Sequence, residues 1–190
     1  MEKGKIFIIS GPSGSGKTTF YNKLLTEVKF RGKLVKSISV TTRNKRDYEK
    51  HGRDYFFVST KMFNYKKNAN HFLESMKVFD NYYGTPKKSI RDILNAGKNV
   101  LLCIDVKGSR VVAKRMNDVV RIFVKTPSLM ELKRRLVARD SEDAKTIQLR
   151  LNTAKEELKD SPLYDHVVVN DQLSTAYKQI AAIIGSHIHK

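Results

Sequence analysis

The sequence is poor in the residues that staple a chain or carry it across a membrane. Its one cysteine, Cys103, has no partner, so an internal disulfide, a thiolate metal cluster and a disulfide-braced secreted domain are all excluded. A reducing, cytoplasmic setting is expected. Nowhere does an apolar run approach the roughly 18 residues that a membrane-crossing helix needs. Residues 1–5 lead straight into a strand pattern, so neither a span nor a signal peptide is expected. No repeat or low-complexity linker stands out, and 190 residues suit one domain with small insertions. Acids are scarce, 19 against 37 bases, which leaves a net charge of +18. Such an excess suits polyanions, either nucleic acid or small phosphorylated molecules. The lysines are scattered and no aromatic RNA-binding platform is present, which favours the small molecules.

What is present begins at residue 6. A short β-branched run with Ile6, Ile8 and Ile9 stops at Gly11, and residues 11–18 read G-x-x-x-x-G-K-T, a phosphate loop. Gly11, Gly14 and Gly16 free the backbone so that successive N–H groups can point into one concavity. Pro12, Ser13 and Ser15 fill the loop between them. A helix starting near Lys17, with Phe20, Leu24, Leu25 and Val28 at helical spacing, adds its partial positive charge at the same point. Lys17 supplies a full charge for β- and γ-phosphates, and the Thr18 hydroxyl is a hard ligand for Mg²⁺. Together these residues form a nucleoside triphosphate site.

The rest of the chain alternates strand and helix patterns. Strands are expected over residues 35–40, 53–58, 71–80, 100–105, 119–124 and 165–170, and helices over about 62–70, 86–96, 108–117, 127–136, 139–160 and 173–188. A polar loop is expected near 139–143. Residues 40–85 hold short strands without the long helices that parallel crossovers need, which implies a small, mostly antiparallel insertion. The whole reads as α/β, a parallel-sheet core with its ligand outside the carboxyl ends of the strands.

Three further groups of residues carry chemistry. Arg43 and Arg46 follow a strand end and suit bidentate capture of a phosphate, although a solvated basic loop has the same composition. Tyr55 and Tyr83 lie near turn glycines and offer phenol hydroxyls to an oxyanion. Glu74 sits in a partly apolar strand pattern. Facing a pocket, it would accept from guanine N1–H and N2–H₂, with the Ser39 and Thr85 hydroxyls on O6; facing outward, it would be an ordinary strand carboxylate. Arg135, Arg139 and Arg150 surround a polar, hinge-like loop, where cations can close over a moving phosphate or simply pair along a helix, as Glu131 can with Arg135.

Residues 11–18, Thr41 to Arg43, 52–58, 81–85, 132–136 and 169–171 together resemble guanylate kinase, in order and spacing, from about residue 4 to 184. The resemblance implies a P-loop kinase core (1–39, 86–138 and 161–190), a GMP-binding region (40–85) and a helical lid (about 139–160). It implies Mg²⁺-dependent transfer of a phosphoryl group from ATP to GMP, and to dGMP, in purine nucleotide metabolism, by a monomer or homodimer. Carried over by position, it makes Arg43, Arg46, Tyr55 and Tyr83 ligands of the GMP phosphate, with Glu49 beside them. Ser39, Glu74 and Thr85 become readers of guanine, with Asp105 supporting that pocket or ordering a water or cation. Gly11, Pro12, Ser13, Gly14, Ser15, Gly16, Lys17, Thr18 and Thr19 hold ATP, Asn170 contacts adenine, and Arg135, Arg139 and Arg150 close over the transferring group. Three departures stand out. Cys103 replaces the first acid of the family's D-x-D, Lys45 stands where a proline commonly stiffens the arginine loop, and Asp140 replaces the usual glycine after Arg139. Two rivals remain: a silent module of this family that binds protein or phosphopeptide, for which an eroded glycine loop is expected, and another small-molecule kinase of similar fold.

Overall fold

The computed structural model describes residues 3–78, 80–138 and 144–188. In chain order its elements begin β1 (Ile6–Ser10), α1 (Lys17–Thr26), β2 (Leu34–Lys36), β3 (Val40–Thr41), β4 (Phe56–Phe57) and α2 (Thr60–Asn68). They continue β5 (Phe72–Val78), β6 (Asn81–Pro86), α3 (Lys87–Asn95), β7 (Asn99–Cys103) and α4 (Val106–Arg115). The chain closes with β8 (Val119–Lys125), α5 (Leu129–Val137), α6 (Ala144–Lys159), β9 (His166–Val169) and α7 (Leu173–His187). None of these helices is long and apolar enough to cross a membrane, among the described residues.

A parallel sheet in the order β2-β7-β1-β8-β9 forms the centre. Its middle strands are apolar on both faces, as buried parallel strands must be. Phe7 and Ile9 pack with Phe20 and Leu24 of α1 and Ile180 and Ile184 of α7 on one side. Ile6 and Ile8 pack with Ile90 and Leu94 of α3 and Val112 of α4 on the other. Both faces of the sheet are thus covered, and the loops at the carboxyl ends of β1, β7 and β9 lie at one edge of this packed core.

The second sheet, in the order β4-β3-β6-β5, has a small core of Val40, Phe63 and Phe72. Its β3–β6 and β5–β6 pairs are antiparallel and its β3–β4 pair is parallel. The strand expected over 35–40 is in fact two. Leu34 belongs to the central core and Val40 to the second core, so the chain leaves one sheet after Lys36 and joins the other at Val40. The strand expected over 53–58 shrinks to two residues, because the Gly52 N–H bonds to Tyr55 O (2.9 Å) and the Asp54 N–H to Lys50 O (3.0 Å), closing a turn.

The glycine turn after β1 sets the site and leaves no room for substitution. Gly11 has φ 136°, and a Cβ there would lie 2.0 Å from the Val124 carbonyl oxygen. Gly11→Ala is therefore expected to cost about 3 kcal/mol or more through backbone strain and overpacking. A thermal melt should show this as a Tm lower by roughly 6–12 °C. A melt unchanged within two degrees would mean that the loop adopts another path.

Candidate active site

Ser10, the last residue of β1, is tied across to β7's exit, its hydroxyl donating to Ile104 O (2.7 Å). The chain then turns through Gly11, Gly14 and Gly16 at φ 136°, 88° and 96°, conformations that only glycine adopts without strain. The Lys17 ammonium folds over this loop and donates to Gly11 O (2.5 Å) and Pro12 O (2.7 Å). Asn170, buried after β9, donates through Nδ2 to Ser15 O (2.8 Å). A Cβ on Gly16 would lie 2.4 Å from that nitrogen, so the third glycine also makes room for Asn170. Thr18 and Thr19 are exposed at the first turn of α1.

Two arginines from the C-terminal half meet this loop. Arg150 of α6 donates from Nη1 to Ser13 Oγ (2.9 Å). Arg135 of α5 donates from Nη2 to Asn170 O (3.0 Å) and from Nε to Glu131 (2.7 Å). Helical pairing with Glu131 and contact with the site thus coexist in Arg135. The exposed Arg134 shares the same carboxylate, which the two guanidinium groups hold at about 2. Gly14, Gly16, Thr19, Arg134, Arg135 and Asn170 line an open cavity of about 370 Å³. Arg139 and Asp140 lie outside the described residues.

On the second sheet, Glu49 organises the arginine loop. It is buried, accepting from Arg43 Nη2 (2.7 Å) through one oxygen and from the Arg46 N–H (2.9 Å) through the other. Burial raises its pKa, but these hydrogen bonds outweigh that and leave the carboxyl below its ordinary value. The Arg43 guanidinium stands 5.6 Å from the Tyr55 ring centre, and the Tyr55 and Tyr83 rings are 6.0 Å apart, edge to face. Burial pushes the Tyr55 phenol up to about 12. Arg46 does not join this cluster: it is exposed, and its Nη1 donates to the Tyr48 hydroxyl (3.0 Å). The loop is pinned by the Arg46 backbone, so its side chain is left to solvent. Ser39 is half-buried just before β3, its carbonyl bonded to the Phe56 N–H (2.9 Å).

Glu74 faces inward. It is 4% exposed and accepts a 2.5 Å hydrogen bond from Thr85 Oγ1 on β6. The β5 register shifts between Phe72 and Glu74, so Leu73 enters the central core while Glu74 pairs with Thr85. Such a bulge re-aims a side chain that simple alternation would place on the other face. Burial, with Asp105 adding repulsion and the Thr85 hydroxyl opposing, pushes its pKa to about 7. The absent side chain of Gly108 leaves room for it, since a Cβ there would be 3.1 Å from Glu74 Oε2. Asp105 itself caps α4, accepting from the Gly108 N–H (2.6 Å).

Electrostatic neighbours join the two halves. Tyr21 of α1 is half-buried against the central core, within electrostatic reach of Cys103 and Tyr55, and the Cys103 thiol is in turn near Lys17 and Thr18. Burial raises the Cys103 thiol, so the position where the family usually has an acid is neutral here. Sequence reasoning missed Tyr21, whose helical pattern reads as ordinary packing. It also missed Glu157 of α6, a half-buried carboxylate within electrostatic reach of Lys17 and Asp105.

A phosphate-gripping loop, an arginine–tyrosine cluster and a buried carboxylate suit an enzyme that brings two nucleotides together. The family model described as guanylate kinase matches residues 3–187. The chain belongs to the guanylate kinase family. Membership makes it a nucleoside monophosphate kinase, an ATP:GMP phosphotransferase. It is 39% identical over 186 residues to a guanylate kinase of Campylobacter jejuni, covering 97% of this chain and 90% of that protein. It is 43% identical over 185 residues to one of Novosphingobium aromaticivorans, with 97% and 82% covered. The crystal structure of guanylate kinase from Anaplasma phagocytophilum superposes with a TM-score of 0.81 at 34% identity, over 100% of this chain and 88% of that one.

Proposed function

We propose that ATP binds the loop of residues 11–18 and that GMP binds residues 40–85, with their phosphates meeting between Lys17 and Arg43. The core (1–39, 86–138 and 161–190) carries the first site, and residues 139–160 act as a lid. The observation that carries this reading is the buried Glu74–Thr85 pair beside Asp105. A carboxylate held there accepts guanine's two N–H donors, whereas adenine offers it a bare N1 acceptor. Ser39 and Thr85 complete the base site. Arg43, Tyr55 and Tyr83 hold the GMP phosphate, and Arg46 joins them by swinging away from Tyr48. Because these groups address the base and phosphate, dGMP serves as well as GMP.

On the ATP side, loop amides and the α1 N-terminus take the β- and γ-phosphates. Lys17 leaves the carbonyls of Gly11 and Pro12 for them. Asn170 and the cavity beside it take the adenine end. Arg135, Arg139 and Arg150 converge over the moving group, Arg150 already lying on Ser13. No covalent enzyme intermediate is needed, because positioning and charge supply most of the rate in phosphoryl transfer.

The residues present fit a magnesium ion. The exposed Thr18 hydroxyl and the Asp105 carboxylate are hard oxygen donors, and Mg²⁺ keeps several waters, so few protein ligands are required. When bound, the ion neutralises phosphate charge. The setting proposed is cytoplasmic.

A coupled ADP-release assay with GMP, dGMP, AMP, CMP and UMP tests the substrate side. GMP and dGMP should turn over, with kcat/KM for the others lower by about 100-fold or more. Comparable turnover of AMP would contradict the guanine assignment.

A further inference from the structure

Glu157 is a carboxylate where none is wanted for gripping polyanions. Its place is fixed from both sides. Seven residues upstream, Arg150 is bonded to Ser13 of the phosphate loop (2.9 Å). Three residues downstream, Asp160 accepts from Arg110 Nη2 of α4 (2.6 Å). Arg150, Ala154 and Glu157 follow the i, i+4, i+7 spacing of one helical stripe, and Ala154 between them is 1% exposed. The stripe therefore runs from the phosphate loop toward Arg110 in α4, the helix capped by Asp105. The charged groups close enough to act electrostatically on Glu157 are Lys17, Asp105, Lys107 and Asp160.

A negative charge this close to two bound phosphate chains weakens binding unless a cation stands between them. Lys17 is one such cation, but it is needed on the phosphates. We propose that Glu157 is a positioning residue for the hydrated divalent cation that accompanies ATP. It holds the water shell of that cation jointly with Asp105 and delivers this contact from the lid helix. The assignment also makes up for Cys103, a neutral thiol in the place of an acid. It rests on the magnesium reading above and goes beyond it by naming a residue of α6.

The test is the sign of a binding change, read by calorimetry on ATP with no GMP present. Without divalent cation, at a pH well above 7 so that the carboxylate is ionised, Glu157→Gln should bind ATP several-fold more tightly than the parent, because a like charge has gone. With saturating Mn²⁺ it should bind more weakly, so that the tightening produced by Mn²⁺ falls about tenfold, the size expected for an outer-shell partner. GMP affinity should stay within twofold. Glu157→Asp should recover part of the Mn²⁺ effect. If Glu157 merely restrains Lys17, the substitution shifts ATP affinity in the same direction with and without Mn²⁺, which overturns the proposal. Equal Mn²⁺ tightening in parent and variant overturns it as well. If the parent itself shows no Mn²⁺ effect, the magnesium reading falls first and this one with it. Tighter metal-free binding by the Gln variant also shows that it is folded.

Discussion

Lys17→Met should lower kcat by roughly 10²–10³ while GMP affinity stays within about twofold. The size follows from what the ammonium does. It is the one full charge built into the loop of residues 11–18, and it rests on two backbone carbonyls from which a phosphate can draw it. Removing a charge that neutralises the transferring group costs about 3–4 kcal/mol of barrier, which is that range of rate. Methionine keeps the aliphatic stem, so the first turn of α1 stays packed. The groups proposed for GMP stand on the second sheet and its loops, where Glu49 holds Arg43 and Thr85 holds Glu74. Steady-state kinetics and calorimetry separate the two effects. Near-parental turnover, or an equal loss of GMP binding, would contradict the assignment of Lys17 to the phosphates of ATP.

The second large effect belongs to Glu74. Glu74→Gln replaces one acceptor by an N–H₂ group that confronts a guanine donor, at a cost of about 1–3 kcal/mol, so kcat/KM for GMP should fall roughly 10–100-fold. The preference over AMP should narrow by the same factor. The pH dependence has a definite sign. With its pKa raised to about 7 in the fold, Glu74 is protonated below that value and cannot accept both donors. In the parent, kcat/KM for GMP should therefore rise with pH up to about 7, and the Gln profile should lack that step. Stability moves the other way. Between the ordinary value of 4.5 and about 7 the folded state holds a proton that the unfolded chain has released. Stability therefore falls with rising pH across that window, by about 3 kcal/mol for a shift of this size. Above pH 7 the Gln variant should melt higher than the parent, although it binds GMP worse. A variant with unchanged GMP preference would remove Glu74 from the pocket.

The phosphate loop was the most legible part of the sequence, because its glycines answer a backbone demand that tolerates no other residue. The central strands were legible for a related reason, since burial on both faces leaves a continuous apolar run. The break between β2 and β3 was not legible. Residues 35–40 alternate without interruption, and only the pairing of Leu34 and Val40 with different cores divides them. Period-two alternation could not decide which way Glu74 faces, because a bulge intervenes; the hydrogen-bond chemistry of the residue was the better guide. For Arg46 composition could not separate two parts, since its backbone N–H is held by Glu49 while its guanidinium lies on Tyr48. Glu157 was hidden beside Glu156 in a charged helix that reads as a solvated face. Its spacing from Arg150 was the signal that could have found it.

The central claim is that one continuous cationic hollow grips both nucleotides end to end. The most direct measurement is a crystal structure with GMP and a non-hydrolysable ATP analogue bound together. The γ-phosphate should lie on Lys17 and the amides of residues 11–18, the GMP phosphate on Arg43, Tyr55 and Tyr83, and guanine on Glu74 and Thr85. A hollow filled by the chain's own side chains, or GMP bound away from Glu74, would contradict it.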